Sequence, residues 1–441
     1  MRRYNQYKDS GVEWIGEIPS HWEETRLRFV GDLFGGLTGK SGDDFKQDNN
    51  PGNKPYIPYT NIFRNTYISK EHVNYVVIES GENQNKVKKF DLFFLMSSET
   101  YQDLGKPCIL IDDVDELYLN SFCKGFRVKK EGVYPLFLNY QLLGDVHKEL
   151  ISIEGRGFTR INLRQDRLND TRILLPPLSE QHQIVSYLDT KTSLIDTLIE
   201  NTQKKIELLK EKRTSLISEV VTKGLNPNVE MKDSGVEWIG EIPSGWEVKK
   251  NKYFTQSQKN KSLKGEEELL SVSEYYGVIP RRNIREGEEH LTRSESLEGY
   301  LKVRKGELVS NIMLMWKKGL GVSEFDGIVS PAYSVFSFLN SVPKYFHYLF
   351  RTNQYVSEFR KNSTGVIESR LRLYDDSFGS LMSHHPPLSE QEEIVSYLDE
   401  QTQLIDKTIS VEERRIELLK EYRQSLISEV VTGKRKVTKD E

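Results

Sequence analysis

The chain has 441 residues, a formal net charge of −4 at pH 7 and 29% charged residues. This length allows two or three domains, and the slightly acidic balance excludes a globally basic protein, so that a nucleic-acid surface would have to be local. The two cysteines, Cys108 and Cys123, are too few for a metal site of about four ligands and are expected to be reduced thiols. Because no run approaches about 18 apolar residues and no apolar segment opens the chain, we expect a cytoplasmic protein without a membrane span.

A thirteen-residue segment near the start of the chain occurs twice. Lys8–Ser20 reads KDSGVEWIGEIPS, the same letters return at Lys232–Ser244, and a tryptophan follows each copy, at Trp22 and Trp246. Glycine and proline bound the segment, which favours turns over a catalytic role. We expect its apolar residues to dock on the ends of helices; these are Trp14, Ile15 and Ile18 in the first copy and Trp238, Ile239 and Ile242 in the second.

Two globular regions, residues 22–175 and 246–385, follow the two copies. Each contains short β-type runs, at 54–59 and 90–96 in the first region and at 268–273 and 307–311 in the second. Each then has an aromatic-rich helical stretch, opened by Pro135 or Pro343, and closes with a glycine, an arginine and a leucine at similar offsets: Gly155, Arg160, Leu163 and Gly365, Arg370, Leu373. This shared order predicts two α+β domains of one fold whose binding surfaces have diverged.

The longest repeat predicts two long helices. Residues 176–222 begin PPLSEQHQIVSYLD, residues 386–432 begin PPLSEQEEIVSYLD, both end LISEVVT, and they match at 32 of 47 positions. Internal repeats of this kind decide an architecture. The paired prolines keep the preceding backbone extended, and Ser179 and Ser389 are expected to be the N-caps of the helices. At about 1.5 Å per residue, each helix would be roughly 65 Å long.

Apolar residues recur along both segments with a period of about 3.5 residues, which is typical of a left-handed coiled coil. The expected seam consists of Val185, Leu188, Ile195, Ile199, Ile206, Leu209 and Leu216 in the first segment and of Val395, Leu398, Ile405, Ile409, Ile416, Leu419 and Leu426 in the second. Since one seam cannot be buried alone, we expect the two helices to pair with each other as an antiparallel coiled coil inside the chain. In a circular reading of the chain each helix is followed by one thirteen-residue segment, which predicts a pseudo-twofold arrangement. The alternative is two ordinary long helices packed on globular domains.

The sequence offers no catalytic or metal-binding constellation. Gly39-Lys40-Ser41 lacks the glycine that a P-loop has five residues before Gly39, where Phe34 stands. Asn226-Pro227-Asn228 is not the Asn-Pro-Pro-aromatic loop that would hold a flipped base. His384 and His385 have no accompanying cluster of carboxylates or cysteines. We therefore assign no catalytic residue and no metal ligand to the chain.

Local basic clusters, interleaved with aromatic residues, make both globular regions candidates for DNA binding. Cations contact phosphates, and arginine, amide and hydroxyl side chains on projecting loops read bases. The candidates in the first region are Thr60, Asn61, Arg64, Lys86, Lys88, Lys89, Ser97, Ser98, Tyr101 and Arg160. The candidates in the second region are Ser273, Tyr275, Tyr276, Arg281, Arg282, Asn311, Lys317, Lys318 and Arg370. A purely structural loop role is the alternative for each of them.

The duplicated PPLSEQ-x-x-IVSYLD and LISEVVT segments, with the duplicated DSGVEWIGEIPSxW segment, resemble the specificity subunit of a Type I restriction-modification system over essentially the whole chain. The resemblance implies a non-catalytic subunit with two target recognition domains separated by two repeated helical regions. Each domain would read one half of a split DNA site through the major groove, and the helix pair would set the gap between the halves. Because the two domains differ in sequence, the site should be asymmetric.

The resemblance also implies partners and cofactors. Besides double-stranded DNA, the partners would be two modification subunits, which bind the helical regions and methylate adenine with S-adenosylmethionine. Restriction subunits would add ATP- and Mg²⁺-dependent translocation and cleavage, while this chain would bind no cofactor itself. The rival from another class is a coiled-coil adaptor that tethers two protein-binding domains and never contacts DNA.

These expectations divide the chain into six segments. They are an N-terminal repeat segment (1–21) near the end of the last helix, target recognition domain 1 (22–175), a central helical spacer with a linker (176–231), the second repeat segment (232–245), target recognition domain 2 (246–385), and a distal helical spacer with a charged tail (386–441).

Overall fold

The computed structural model describes residues 3–45, 50–157, 159–274, 277–283, 296–367 and 370–437. The chain divides into two compact units, which are described separately below. Unit 1 comprises residues 1–202 and 414–441, and unit 2 comprises residues 203–413. Each unit contains one mixed helix-and-strand domain and a part of each of two long helices.

The elements of unit 1 precede the first long helix. The strands are β1 (Tyr7–Asp9), β2 (Glu17–Pro19), β3 (Glu23–Arg26), β4 (Gly31–Gly35), β5 (Asn53–Ile57), β6 (Tyr67–Ile68), β7 (Asn74–Val77), β8 (Leu92–Leu95), β9 (Ser97–Ser98), β10 (Pro107–Leu110), β11 (Tyr118–Leu119), β12 (Cys123–Val128), β13 (Ile161–Asn162) and β14 (Arg172–Leu175). The α-helices are α1 (Tyr59–Arg64), α2 (Pro135–Leu143), α3 (Asp145–Ser152) and α4 (Gln165–Asn169), and 3-10 turns lie at Leu27–Phe29, Gly42–Phe45 and Lys70–His72. The first long helix is α5 (Leu178–Lys223).

The main sheet of unit 1 has the strand order β4-β12-β8-β10-β6. Its central strands, β8 and β10, are buried along their whole length, which is why they read as unbroken apolar runs. Alternate residues of these strands belong to two different cores. Phe94 and Ile109 pack in a cluster with Leu138 of α2, whereas Phe93 and Cys108 pack on the opposite side. The sheet is therefore covered on both faces.

Both cysteines are buried and free, as expected. Burial raises the pKa of the Cys108 thiol, and it raises the pKa of the Cys123 thiol to about 12. These thiols are therefore inert core residues at neutral pH.

The elements of unit 2 follow α5 and repeat this plan. The strands are β15 (Met231–Asp233), β16 (Glu241–Pro243), β17 (Glu247–Lys250), β18 (Thr255–Gln258), β19 (Leu270–Ser273), β20 (Gly277–Pro280), β21 (Leu301–Val303), β22 (Leu308–Asn311), β23 (Leu320–Val322), β24 (Gly327–Val329), β25 (Tyr333–Phe338) and β26 (Met382–His385). The α-helices are α6 (Pro343–Phe350), α7 (Asn353–Lys361) and α8 (Asp375–Ser380), with 3-10 turns at Asn251–Tyr253, Arg281–Asn283 and Met315–Lys317. The second long helix is α9 (Leu388–Val431).

The main sheet of unit 2 has the order β18-β25-β22-β23, which matches the order β4-β12-β8-β10 of unit 1 element by element. In each unit an antiparallel pair, β3 with β14 or β17 with β26, leads directly into a long helix. The helices opened by Pro135 and Pro343 also occupy equivalent places. The prediction of two α+β domains of one fold is confirmed.

The long helices pair antiparallel within each unit. In unit 1, Arg423 of α9 donates a hydrogen bond from Nε to Asp196 of α5 at 2.8 Å. In unit 2 the partner number falls as the residue number rises, because Lys205 pairs with Glu412 at 2.6 Å and Arg213 pairs with Asp406 at 3.0 Å. All predicted seam residues are buried or partly buried. The intramolecular helix pair is therefore confirmed.

The predicted N-caps are wrong by two residues, since Pro177 and Pro387 precede the helices. The helices begin at Leu178 and Leu388, so that Ser179 and Ser389 lie inside the first turn. The amides of Glu180 and Gln181 donate to the Pro177 carbonyl at 2.9 and 3.0 Å. A proline fits this start because its fixed φ suits the first turn of a helix, which needs acceptors rather than donors at that point.

The glutamine of each PPLSEQ motif anchors its helix to the preceding domain. The side chain of Gln181 accepts from the Tyr134 amide and donates to the Pro176 carbonyl, and that of Gln391 accepts from the Val342 amide and donates to the Pro386 carbonyl. Both glutamines are fully buried, and these bonds satisfy polar groups that would otherwise be costly to bury. The motif therefore has the same structural role in both copies.

Each thirteen-residue segment docks on the end of a long helix. Ile15 and Ile18 pack with Val430 and Val431 in one core of unit 1, and Ile239 and Ile242 pack with Val220 and Val221 in the core of unit 2. The following tryptophans, Trp22 and Trp246, are fully buried in the same cores. The expectation for Trp14 is wrong, since this side chain is 56% exposed; Trp238 packs edge-on against Tyr355 with ring centroids 5.0 Å apart.

Candidate nucleic-acid interface

A short hairpin in unit 1 carries Arg160 next to the end of the central strand β8. A β-bridge joins Arg156 to Asn162, and β13 pairs with β9 through Ile161 and Ser98. The Leu163 amide donates to the Met96 carbonyl at 2.9 Å. The apolar Leu163 is buried, whereas Arg160 is exposed. The Gly-Arg-Leu pattern in the sequence therefore marks a hairpin whose leucine is an anchor and whose arginine faces outward.

Several predicted contacts of unit 1 gather around this hairpin. The hydroxyl of Tyr59, at the start of α1, donates to the Ser97 carbonyl at 2.9 Å, which places α1 beside β9. The guanidinium of Arg160 lies 5.8 Å from the ring centroid of Phe122. The structure thus brings together the predicted residues Thr60, Asn61, Arg64, Ser97, Ser98, Tyr101 and Arg160 on neighbouring elements. Of these, Thr60, Arg64, Tyr101 and Arg160 are exposed, while Ser98 is buried. We call the surface formed by the four exposed residues the unit 1 hairpin surface.

The predicted lysine cluster of unit 1 is engaged in other contacts. Lys86 pairs with Glu116 at 2.9 Å, and Glu116 also pairs with Lys54. The Lys88 amide donates to Asp91, and the ammonium of Lys89 lies 5.2 Å from the Phe90 ring centroid. All three lysines are exposed, and Lys86, Lys88 and Lys89 stay predicted phosphate contacts outside the hairpin.

Unit 2 carries the equivalent hairpin. Backbone hydrogen bonds of 2.9 Å join Thr364 and Arg372 in both directions, and the Leu373 amide donates to the Ile312 carbonyl at 2.9 Å. This last bond is the counterpart of the one between Leu163 and Met96. The Gly365 φ is +152°, and a Cβ there would lie 2.6 Å from the Arg370 carbonyl oxygen, so that only glycine fits this turn.

Cations and aromatic residues surround the hairpin of unit 2. The ring of Trp316 is flanked by Lys317 at 4.7 Å and by Arg360 of α7 at 5.2 Å. The Arg372 guanidinium approaches the Met313 sulfur at 3.7 Å, which ties the hairpin to the loop that carries Trp316. The predicted residues Lys317 and Arg370 are both exposed on this surface. We call the surface formed by Lys317, Arg360, Arg370, Arg372 and the hairpin tip the unit 2 hairpin surface.

The tip of this hairpin was not predicted from the sequence. Val366 is 99% exposed and Ile367 is 53% exposed. Valine and isoleucine are usually core residues, so their types alone predict burial. Only the preceding Gly365 could have indicated that they lie on an exposed turn. Arg360 and Trp316 were also missed, because they belong to other elements that the fold brings to the hairpin.

The other candidates of unit 2 have varied placements. Arg282 is exposed and pairs with Glu268 at 3.5 Å, and Arg281 is partly buried. Asn311 is only 7% exposed and its Oδ1 accepts from the Met313 amide at 3.0 Å, a contact that shapes the loop rather than the surface. Ser273 ends β19, and Lys318 is half-buried with a left-handed φ of +63°. Tyr275 and Tyr276 lie outside the described residues.

Buried histidines of both units serve the core. Burial lowers the pKa of His147 to about 4, of His347 to about 3 and of His384 to about 4. His347 Nδ1 accepts from the Val322 amide at 3.2 Å, and His384 Nδ1 is 2.7 Å from the Tyr355 hydroxyl. Among the described residues no group of histidine, cysteine, aspartate and glutamate side chains could hold a metal ion. Over the same residues, no helix is long and apolar enough to cross a membrane.

The long helices also expose a second apolar line, beside the seam. In unit 1 it is formed by Leu194 (55% exposed) and Leu198 (42%) of α5 and by Leu418 (49%) and Tyr422 (50%) of α9. In unit 2 it is formed by Leu208 (64%) of α5 and by Tyr397 (37%), Leu404 (60%) and Val411 (60%) of α9. These residues fall at two adjacent heptad positions, c and g, which lie on the same face of an antiparallel pair. We call them the apolar helix faces of units 1 and 2.

Comparison with known proteins agrees with this architecture. Residues 19–209 match the family described as Type I restriction modification DNA specificity domain. The putative type I restriction enzyme MjaX specificity subunit of Methanocaldococcus jannaschii is 25% identical over 96% of this chain and 96% of its own length. The type I restriction enzyme MjaVIII specificity subunit of the same organism is 27% identical over 56% of this chain and 52% of its own length.

Two solved structures share the fold. One is a chain from the structures that describe complex assembly and conformational transition of the type I R-M system; its TM-score is 0.66 at 14% identity, over 94% of this chain and 98% of its own. The other, the HsdS subunit from Thermoanaerobacter tengcongensis, has a TM-score of 0.55 at 17% identity with the same coverage. The two-domain fold, the paired helices and the matched domain define a DNA-recognition protein. Residues 19–209 belong to the family of Type I restriction-modification DNA specificity domains, and nearly the whole chain is similar to a type I restriction enzyme specificity subunit, the non-catalytic component of such enzymes.

Proposed function

We propose that the two units read the two halves of one split DNA site, each through its hairpin surface. The observation that carries this proposal is the recurrence of one hairpin, anchored by Leu163 to Met96 and by Leu373 to Ile312, with different side chains at its tip. A constant anchor with variable tips is suited to the reading of two different sequences. Arg160 and Arg370 each offer a bidentate donor for guanine, and unit 2 adds Val366 and Ile367, which offer none. The recognised site is therefore asymmetric.

The helix pair sets the gap between the half-sites. Both α5 and α9 are continuous helices, of 46 and 44 residues, and both contribute to each unit. A paired seam resists bending better than a single helix, and the ion pairs between Arg423 and Asp196 and between Arg213 and Asp406 fix its register. The number of heptads in the helices then determines the number of unread base pairs.

The apolar helix faces bind the modification subunits. On the opposite side of the pair, the equivalent heptad positions are mainly polar, and in unit 1 they include Ser186, Ser193 and Glu200. Exposed leucines repeated on one face only are expected where another helix docks. Each unit carries one such face, which supports a complex with two modification subunits, one for each half-site.

The remaining assignments follow from membership in the family. The modification subunits supply S-adenosylmethionine-dependent adenine methylation, and restriction subunits supply ATP- and Mg²⁺-dependent translocation and cleavage, in the cytoplasm. For domain limits we keep residues 22–175 and 246–385 as the two target recognition domains, with residues 1–21 and 232–245 as the repeat segments. The spacers comprise residues 176–231 and 386–441.

The test is a map of methylated adenines in cells that produce this chain together with its modification subunit. We expect a split, asymmetric motif with a fixed gap, which disappears when this chain is omitted. An unchanged map, obtained with a folded and co-purifying complex, would reject DNA recognition and leave the adaptor as the explanation.

A further inference from the structure

The tip of the unit 2 hairpin presents two adjacent aliphatic side chains to solvent. Val366 is 99% exposed and Ile367 is 53% exposed, although burial of such aliphatic side chains is favourable. The turn that carries them is held from both sides: Thr364 and Arg372 exchange two backbone hydrogen bonds of 2.9 Å, and the Arg370 amide donates to the Ile367 carbonyl at 2.9 Å. The described residues on both sides of the two side chains are therefore held by backbone hydrogen bonds.

The charges around the tip favour DNA as the occupant. Arg370 and Arg372 lie on the returning strand of the hairpin, and Arg360 and Lys317 flank Trp316 next to it. Four cations on the hairpin and on the elements that contact it suit a polyanion such as DNA, whose backbone is contacted by cations. A helix of a partner protein would instead need a broader apolar surface than these two residues provide, such as the apolar helix faces of units 1 and 2.

We propose that Val366 and Ile367 read the C5-methyl groups of thymine in the major groove of the half-site bound by unit 2. The thymine methyl is the one apolar group that distinguishes a base pair in that groove, and aliphatic side chains are its natural partners. This inference rests on the proposed function, because it assumes that the unit 2 hairpin surface faces DNA. It adds the chemistry of the reading: apolar contact in unit 2, in addition to the exposed arginine that both hairpins carry.

The contrast between the two hairpins supports the assignment. The unit 1 hairpin carries Thr159 and Arg160 before its anchor, and Arg160 lies over Phe122. The turn glycine of unit 2, Gly365, precedes Arg370 by five positions, whereas its counterpart in unit 1, Gly157, precedes Arg160 by three. The longer span of unit 2 contains Val366 and Ile367. The extra apolar residues are thus an addition to a shared frame, as expected when only the recognised bases differ.

The experiment replaces thymidine with deoxyuridine, which removes only the methyl group. The complex of the full chain with its modification subunit is titrated with target duplexes, each with one such replacement. We expect one or two positions in a single half-site to weaken binding by about fourfold per methyl group, the value of about 0.8 kcal/mol for a buried carbon group. The double variant Val366→Ser, Ile367→Ser should bind the unmodified target with the same loss and show no further loss on deoxyuridine at those positions.

Two internal controls separate the possible outcomes. Replacements in the other half-site should act equally on the wild type and the variant, and Leu263→Ser, which alters another exposed apolar side chain of unit 2 (83% exposed), should keep the wild-type response. The inference is overturned if wild type and variant respond alike at every position, or if the variant loses affinity equally for all DNA. Failure of the wild type to bind any split site would instead reject the proposed function.

Discussion

The guanidinium of Arg423 holds the carboxylate of Asp196 through hydrogen bonds of 2.8 and 3.2 Å, across the helix pair of unit 1. Residues 210 positions away form the same contact in unit 2, where Arg213 meets Asp406 at 3.0 Å. In both units the arginine stands at a seam position of one helix and the aspartate stands beside the seam of the other. A polar group placed once in an otherwise apolar seam costs stability and specifies register. The two ion pairs therefore fix the register in which the two helices pair.

The first prediction concerns these two ion pairs. Asp196→Asn should lower the free energy of unfolding by about 0.5–1 kcal/mol, a modest value because Asp196 is 53% exposed and water screens the pair. A double-mutant cycle with Arg423→Met, followed by urea unfolding, measures the coupling. As a matched control, Glu417→Gln breaks the exposed pair between Glu417 and Arg414 within α9 and should cost less. If Glu417→Gln lowered the free energy of unfolding as much as Asp196→Asn does, the ion pairs at the seam would have no special role.

The second prediction concerns pH. Burial lowers the pKa of His147 to about 4, of His347 to about 3 and of His384 to about 4. Below about pH 6.5 the unfolded chain binds protons that the folded chain does not, so stability is fully present above that pH and is lost as the pH falls towards 4. The slope should approach about 1.4 kcal/mol per pH unit for each histidine. His147→Leu should reduce the slope of the free energy of unfolding against pH by the contribution of one histidine, as measured by urea titrations between pH 7 and 5. An unchanged slope would show that His147 does not contribute to this pH dependence.

The third prediction concerns base reading by arginine. Arg160→Ala should weaken binding to the target by about 1–3 kcal/mol and relax specificity at one base pair of one half-site, because a bidentate contact to guanine is lost. Arg370→Ala is the matched variant in unit 2 and should affect only the other half-site. Both are measured by competition binding against a set of single-base variants of the target. Equal weakening on every sequence, with a smaller salt dependence, would identify phosphate contacts instead.

The fourth prediction concerns the apolar helix faces. The pair Leu208→Glu, Leu404→Glu places charges on the face of unit 2 and should yield complexes with one modification subunit instead of two, as measured by mass photometry. The pair Leu194→Glu, Leu418→Glu should do the same for unit 1, and the four changes together should abolish the complex. Ser193→Glu, on the polar side of the pair in unit 1, is the control and should leave the stoichiometry unchanged. Full occupancy in the four-fold variant would refute docking on these faces.

The sequence predicts best those features that depend on local periodicity and repetition. The seam from Val185 to Leu216 could be identified because its period follows from helix geometry alone. The two-domain architecture could be identified because the same order of sequence features occurs twice. The N-caps were misplaced because Ser179 satisfies the usual preference, while the chain uses Pro177 and buried Gln181 instead. Trp14 was expected to dock because tryptophan is large and apolar, yet its neighbour Ile15 occupies the buried side of the turn.

The candidate interface depends on contacts between distant residues and was harder to predict. Trp316 and Arg360 are separated by more than forty residues and meet only because α7 packs on the turn Met315–Lys317. Val366 and Ile367 have core-like side chains, and their exposure follows from the turn at Gly365. The equivalent, exposed positions of Arg160 and Arg370 could be predicted because both precede an anchoring leucine at the same spacing.

The central claim, that the paired helices set the gap, is tested most directly by the removal of one heptad from both helices. Residues 206–212 and 407–413 face each other within unit 2, as the pairs of Lys205 with Glu412 and Arg213 with Asp406 show. Their joint deletion keeps the seam in phase and shortens the pair by about 10 Å, which corresponds to about three base pairs. The account predicts a methylation map with the same two half-sites and a gap shorter by about three base pairs. An unaltered gap, with both half-sites still methylated, would contradict it.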